Sequence, residues 1–282
     1  SADLASGAHG AATGAMTVAC ATDGNHGRSV AWGARRFGCR CVIYVHSTVS
    51  RGRIDAIAAY GAEVRVVPGT YDDAVRAAER ESAANGWHVV SDTSWPGYME
   101  TPRAVMQGYR VMADEAAEQW SGPPPTHVFV QAGVGGAAAA VSAQVRARWG
   151  MAPRLVVVEP DRAACLLASA EAGAPTAVGG DLDTLMAGLA CGEPSLLAWE
   201  ELGRATWAFM AIPDGAAVAA MRALATLGVV SGESGAAGLA GFLTASGDAA
   251  ARAALGIGPD SRVLAFSTEG ATDPELYARL IA

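Results

Sequence analysis

The chain has 282 residues, with 20 basic and 28 acidic side chains, a formal net charge of -8 and 51% hydrophobic residues. This length fits one large or two modest domains, at about 100–200 residues each, and can bury a core without staples. The acidic balance argues against nucleic acid or an anionic membrane as the main partner, and charges, Gly and Pro interrupt every apolar run before the ~18 residues of a membrane span.

Residues 1–15 are rich in Ala and Gly and carry no strong helix or strand pattern. Met16–Ala21 is an apolar stretch that enters a polar loop, and a helix runs on through Val30–Arg36. Cys41–His46 reads as a short buried strand, and Ser50–Ala59 has helical spacing through Ile54, Ile57 and Ala58. Glu63–Val67 is a strand that Pro68-Gly69 ends. Asp72–Ala84 is a helix closed by Asn85-Gly86, as a left-handed C-terminal residue would do. Trp87–Ser91 is the next strand and Thr101–Gln119 a long helix, and no helix can cross Ser121–Pro125.

The pattern then restarts. Thr126–Gln131 is a strand, followed by a Gly-rich turn and a helix over Ala137–Arg148. Arg154–Glu159 is a strand, Ala205–Ile212 another, and Ala216–Leu227 a helix. Gly235–Ser246 is a helix and Arg262–Ser267 a final strand. Short Val-rich strands alternating with helices predict an α/β fold with parallel sheets and helices on both faces. No fixed-period repeat is visible.

In such a fold, ligands sit at the carboxyl ends of strands. Three segments fall there. The first is ATDGNHGR over Ala21–Arg28, where Thr22, Asp23 and Asn25 can cap a helix whose free amides suit a carboxylate. The second is QAGVGG over Gln131–Gly136, where backbone amides can converge on a phosphate. It is neither GxGxxG nor a P-loop, so a nucleotide reading is weak. The third is FSTEG over Phe266–Gly270, whose Ser267 and Thr268 could meet a ring nitrogen. Each also reads as an ordinary turn or cap, the first more readily so. Glu233 in SGESG is as consistent with a cap as with a ligand, and Asp92, after WHVVS, stands where an Asp is more often a cap or turn former than a general base. His26 and Tyr71 also stand at loop ends.

Two composition features constrain the chemistry. The five cysteines form no CxxC, which speaks against zinc and against a disulfide framework. The opening residues do not read as a secretory start, so a cytoplasmic location is expected and Cys165 and Cys191 are expected to be reduced. All 20 cations are arginine, and no lysine occurs. A lysine Schiff base is therefore impossible within these residues.

In order, the chain contains ATDGNHGR, SDTSWPGY, MQGY, QAGVGG, VVVEPD, MAGLACGEP, SGESGAAGL and STEG. From about Met16 to Ala278 this resembles the diaminopropionate ammonia-lyases, fold-type II enzymes dependent on pyridoxal phosphate and related to threonine and serine dehydratases. The dehydratases have Ser where Asp23 stands. The resemblance implies a two-lobed, tryptophan synthase β-like fold, with residues 1–20 a remnant of the large domain, 21–108 the small domain and 109–282 the large cofactor-binding domain. It implies elimination from 2,3-diaminopropionate to give pyruvate and two ammonia, with the cofactor in a cleft between lobes.

The roles follow from the same resemblance. Asp23 would serve the D-substrate and Asp92 the L-substrate. Gly133, Val134, Gly135 and Gly136 would hold the cofactor phosphate, Asn25 its phenolic oxygen, and Ser267 or Thr268 its pyridine nitrogen, with Glu233 in the cofactor-binding set. Thr22 and His26 would fix the substrate carboxylate, and Tyr71 would line the pocket. No metal is expected. A small amino acid is the expected substrate and a homodimer the expected assembly, without nucleic acid or membrane. The family's Schiff-base lysine has no counterpart here, so it is expected outside these residues. Three alternatives stay open: a truncated relative that binds cofactor or amino acid without turnover, a serine/threonine-type dehydratase, and a nucleotide-binding protein with accidental similarity.

Overall fold

A computed structural model describes Asp3, 6–22 and 24–282. The chain forms two compact units, one of Ser1–Ser91 with Thr272–Pro274 and one of Asp92–Ala271 with Glu275–Ala282. Each is taken by itself below.

The first unit contains α1 (Gly10–Gly14), where no pattern is legible in the sequence, followed by β1 (Thr17–Ala21) and α2 (Asn25–Phe37). Then come β2 (Arg40–His46), α3 (Arg51–Ala58), β3 (Glu63–Val67), α4 (Tyr71–Asn85) and β4 (His88–Val89). The strand order is β3-β2-β1-β4, and every pairing is parallel. Because β1 pairs on both edges, residues 17–20 belong to this sheet, not to a remnant of the larger lobe. The unit also extends to Ser91, whereas the expected boundary lay at 108. α4 is built as its sequence dictates. Thr70 and Asp73 form a reciprocal capping box, and Gly86 closes the helix at φ 67.

The second unit contains α5 (Glu100–Gln119), β5 (His127–Gln131), α6 (Gly136–Trp149), β6 (Arg154–Pro160) and α7 (Cys165–Ala172). It continues with α8 (Leu196–Ala205), β7 (Ala208–Ile212), α9 (Asp214–Thr226), α10 (Ala237–Gly247), α11 (Ala249–Leu255) and β8 (Val263–Ala265). Its sheet order is β7-β6-β5-β8, again all parallel. Alternation along the strands sends side chains to two cores. Val128, Val130, Leu155 and Val157 pack with Met106, Ala138 and Leu197. Phe129, Val156 and Val158 pack with Ala217, Met221 and Ala240. Helices therefore cover both faces, which explains the unbroken apolar runs. The last helix, α12 (Pro274–Ile281), lies beyond β8.

Four expected elements change. The strand expected over Trp87–Ser91 is only β4, and that over Arg262–Ser267 only β8. The strand expected from Ala205 starts at Ala208, because Ala205 ends α8. Gly235 does not begin a helix; α10 starts at Ala237.

The two sheets share one plan. In each, the first strand in sequence is flanked by the second and by the last. The chain leaves β1 and β5 at a topological switch point, where open α/β sheets leave a crevice beyond the strand ends. ATDGNHGR follows β1 and QAGVGG ends β5, so both turns occupy that position.

Candidate active site

In the second unit, the turn after β5 is shaped for close backbone approach. Gly135 is the N-cap of α6 at φ 99, a conformation that favours glycine. A Cβ there would lie 3.1 Å from Ala198 Cβ, and one on Gly133 would lie 3.0 Å from Cys191 Sγ. One on Gly136 would lie 3.1 Å from the Asp92 carbonyl oxygen. No side chain caps α6, so its first-turn amides are not claimed by a side-chain oxygen at the cap. A helix N-terminus of this kind is an anion site.

Distant motifs converge on this turn. Gln131 is buried at the end of β5, and its Nε2 donates to Thr268 Oγ1 at 2.7 Å, to the Phe266 carbonyl at 3.0 Å and to the Gly235 carbonyl at 3.3 Å. Ser267 Oγ donates to Ser231 Oγ at 2.8 Å. The Gly188 amide donates to Ser234 Oγ at 2.9 Å, and the Ser234 amide to Glu269 Oε2 at 3.1 Å. QAGVGG, MAGLACGEP, SGESG and STEG therefore form one cluster beyond β5 and β8. Glu233 is buried in the SGESG turn of that cluster. Ser267 and Thr268 remain exposed.

Asp92 joins the same cluster through its loop. The Ser94 amide donates to Ser195 Oγ at 3.1 Å, and the Leu197 amide donates to Ser94 Oγ at 2.8 Å. The Ser195 amide in turn donates to the Val134 carbonyl at 2.9 Å. The SDTSW loop is thus tied to the glycine turn through Ser195, a residue that sequence reasoning did not single out.

Glu159 was also missed as a site residue. It ends the VVVE run with its carboxylate fully buried, Oε1 accepting the Leu166 amide and Oε2 the Leu167 amide, each at 2.8 Å. Burial pushes its pKa up to about 8, against the lowering effect of those two amides. It anchors the N-terminus of α7, where Cys165 Sγ lies 3.8 Å from the Gly133 carbonyl. The signal available in sequence was an acid ending an apolar strand.

In the first unit, the turn after β1 has its own geometry. Thr22 Oγ1 accepts the Gly24 amide at 2.9 Å and the Gly27 amide at 3.0 Å. Thr22 therefore organises the start of α2, while Gly24, not Asn25, is the N-cap. Gly27 allows this approach, since a Cβ there would lie 2.3 Å from Thr22 Cγ2. Asn25 is the first residue of α2 and is exposed. His26 Nε2 lies 2.7 Å from the Val90 carbonyl. A carbonyl only accepts, so Nε2 carries the proton. Tyr71 opens α4 and is buried. The buried Arg53 points at this turn, its Nη1 lying 2.7 Å from where a Gly24 Cβ would be. Asp23 lies outside the described residues.

Strand-end glycines at a helix N-terminus, with hydroxyls from a neighbouring strand end, give the second unit of this α/β protein a turn suited to a small phosphorylated ligand. The comparisons agree. The chain belongs to the pyridoxal-phosphate dependent enzyme family, whose model matches residues 2–269. Within that family it groups with the diaminopropionate ammonia-lyases. It is 42% identical to the diaminopropionate ammonia-lyase of Escherichia coli K12, over 94% of this chain and 70% of the relative. The crystal structure of the E. coli enzyme in complex with an aminoacrylate-PLP azomethine reaction intermediate matches with a TM-score of 0.89 at 40% identity, covering 94% of this chain and 71% of that one. Its complex with D-serine matches with a TM-score of 0.89 at 36% identity, covering 99% and 76%.

Among the described residues, no helix is long and apolar enough to cross a membrane, and no His, Cys, Asp and Glu cluster could hold a metal ion.

Proposed function

We propose that the chain is the cofactor- and substrate-binding body of an enzyme that eliminates both amines of 2,3-diaminopropionate as ammonia, leaving pyruvate. The observation that carries this reading is the convergence of QAGVGG, MAGLACGEP, SGESG and STEG on one glycine turn, in a chain so similar to diaminopropionate ammonia-lyases. The relative's complex with D-serine supports a small amino acid as substrate.

The residues present fit the cofactor's phosphate and ring. Gly133, Gly135 and Gly136 leave little room for a Cβ against Cys191, Ala198 and the Asp92 carbonyl, so the turn stays bare backbone, and the α6 amides suit a dianion. When bound to the substrate's amine, pyridoxal phosphate supplies an electron sink for the α-carbon. None of these 282 residues is a lysine that could carry the family's Schiff base. Arginine cannot replace it, because its pKa exceeds ~12.

The chain's own groups then divide the work. Gly133–Gly136 hold the phosphate, Ser267 or Thr268 approaches the ring nitrogen, and Glu233 supports that turn from within. Asn25 orients the phenolic oxygen. Thr22 accepts two amides and keeps its own hydroxyl proton to donate to a substrate carboxylate, and His26 and Tyr71 complete the substrate-binding set. Asp92 takes the α-proton from the L-isomer and Asp23 from the D-isomer. We further propose a homodimer, on the exposed apolar run Leu227, Val229 and Val230 that a second copy could cover, and a cytoplasmic location, which suits an amino-acid catabolic activity.

The test is pyruvate release from D- and L-2,3-diaminopropionate by a preparation whose intact mass shows that it includes a lysine-bearing segment. Release from at least one isomer supports the reading. No release from either, with cofactor bound, overturns it.

A further inference from the structure

Two neighbouring hydroxyls, Ser267 and Thr268, stand beyond β8, and the hydrogen bonds around them are not equivalent. Gln131 Nε2 faces the carbonyls of Phe266 at 3.0 Å and Gly235 at 3.3 Å. Both carbonyls can only accept, so the amide nitrogen must lie on that side, and the opposite orientation would set oxygen against oxygen. Its Oε1 is buried without a hydrogen-bond partner among the described residues, and lies only 2.8 Å from where a Gly238 Cβ would be. The side chain is therefore held in one orientation, at the cost of an unsatisfied acceptor.

That orientation settles the polarity of Thr268. The amide nitrogen has no lone pair to offer, so the 2.7 Å bond runs from Gln131 to Thr268 Oγ1. Thr268 accepts there and keeps its own proton. No hydrogen bond donated by Thr268 occurs among the described residues, and its side chain is exposed. Ser267 is the reverse case. Its proton goes to Ser231 Oγ at 2.8 Å, and Ser231 Oγ itself donates to the Gly232 carbonyl at 3.5 Å.

We infer that Gln131 is a positioning residue that selects Thr268, not Ser267, as the hydrogen-bond donor to the cofactor's ring nitrogen, so that this nitrogen is held as an acceptor and stays unprotonated. The inference rests on the proposed binding of pyridoxal phosphate and goes beyond it by choosing between the two hydroxyls and naming the buried group that makes the choice. Gln131 acts through Thr268 and does not touch the cofactor.

Pyridoxamine phosphate labelled with nitrogen-15 in the ring is the probe, because it binds without a lysine. Its affinity for the 282-residue chain is measured by calorimetry, and the protonation state of the ring by the nitrogen chemical shift. The unsubstituted chain is expected to bind it with the ring signal at the unprotonated position. Thr268→Val should weaken binding about 3- to 10-fold, the worth of one hydrogen bond, and move the ring signal. Thr268→Ser, which keeps the hydroxyl, should restore both. Ser267→Ala should leave the ring signal in place. Gln131→Met, which keeps the volume and removes the donor, should move the signal in the same direction as Thr268→Val.

No binding by the unsubstituted chain overturns the cofactor reading and this inference together. Binding with an unmoved signal in Thr268→Val, or a moved one in Ser267→Ala, overturns the inference alone. A folded Gln131→Met chain with the parent signal does the same. The exposed pair decides the choice of hydroxyl even where the buried substitution fails to fold.

Discussion

The Ser94 hydroxyl lies 2.8 Å from the Ser195 hydroxyl, both buried and 101 residues apart in sequence. This pair joins the loop that bears Asp92 to the start of α8. The Ser195 amide continues the connection to the Val134 carbonyl in the glycine turn. An acid proposed to take a proton and a turn proposed to hold the phosphate are thus set by one buried junction. Geometry of this kind places a reacting group before the substrate arrives.

Ser195→Ala removes the acceptor of the Ser94 amide and leaves a buried N–H without that partner. The expected loss is about 1–3 kcal/mol of stability. In urea unfolding the midpoint should fall while the m-value stays constant. The Ser94 amide should also exchange faster with solvent than amides in β5. An unchanged midpoint together with unchanged exchange would show that the junction does not hold the loop.

Glu159 makes stability depend on pH. Burial raises its folded pKa from 4.5 to about 8. The folded state therefore keeps a proton that the unfolded chain releases. Its contribution is fully present below about pH 4.5 and is lost as pH rises through about 8. Each pKa unit corresponds to about 1.4 kcal/mol, so the pH-dependent part amounts to a few kcal/mol. Urea unfolding at pH 5 and pH 8 should show the parent weaker at the higher pH. Glu159→Gln should flatten that difference while lowering stability at pH 5, because its NH2 would face the Leu166 or Leu167 amide. An equally steep pH dependence in Glu159→Gln would assign the titration to another group.

Much of the fold was legible because local chemistry agreed with it. β3 ends at Val67, where Pro68-Gly69 stops it, and α4 ends before Gly86 in the left-handed conformation. The early ends of β4 and β8 share a cause, a side chain that captures the backbone. His26 takes the Val90 carbonyl, so β4 stops at Val89 although the Val90 amide still reaches Ala19. Gln131 takes the Phe266 carbonyl, so β8 stops at Ala265. Neither partner is near in sequence, and propensity cannot see it. The glycine turns were visible as turns, and the family resemblance gave them roles. Ser195 and the orientation of Gln131 were invisible, since each depends on contacts more than 100 residues away. Glu159 bonds only seven and eight residues ahead, yet its burial depends on packing that the sequence does not state.

Gly135→Ala tests the cradle. At φ 99 an L side chain is strained, and its Cβ would lie 3.1 Å from Ala198 Cβ and 3.2 Å from Leu166 Cδ1. Strain of this kind costs about 1–3 kcal/mol. Affinity for pyridoxamine phosphate should fall at least about tenfold, because about 1.4 kcal/mol is tenfold and the turn must also shift. Inorganic phosphate should compete with the probe in the parent chain and lose that competition in the variant. Full affinity in a folded Gly135→Ala chain would place the phosphate elsewhere.

Asp92→Asn tests the division between the two acids. Asparagine keeps the shape and most hydrogen bonds of aspartate but cannot accept the α-proton. Loss of a general base costs about 10²–10⁴ in rate. In a lysine-bearing preparation, pyruvate release from L-2,3-diaminopropionate should fall by that order, while release from the D-isomer stays within a few-fold of the parent. Asp23→Asn should show the opposite preference. The Asp92 carbonyl oxygen lies 3.1 Å from where a Gly136 Cβ would be, against the proposed phosphate turn. A base that reaches the α-carbon from one face serves one configuration there, which is the role proposed for Asp92. Equal loss with both isomers would mean that Asp92 acts on cofactor or loop geometry, and the assignment of one acid to each stereoisomer would fall.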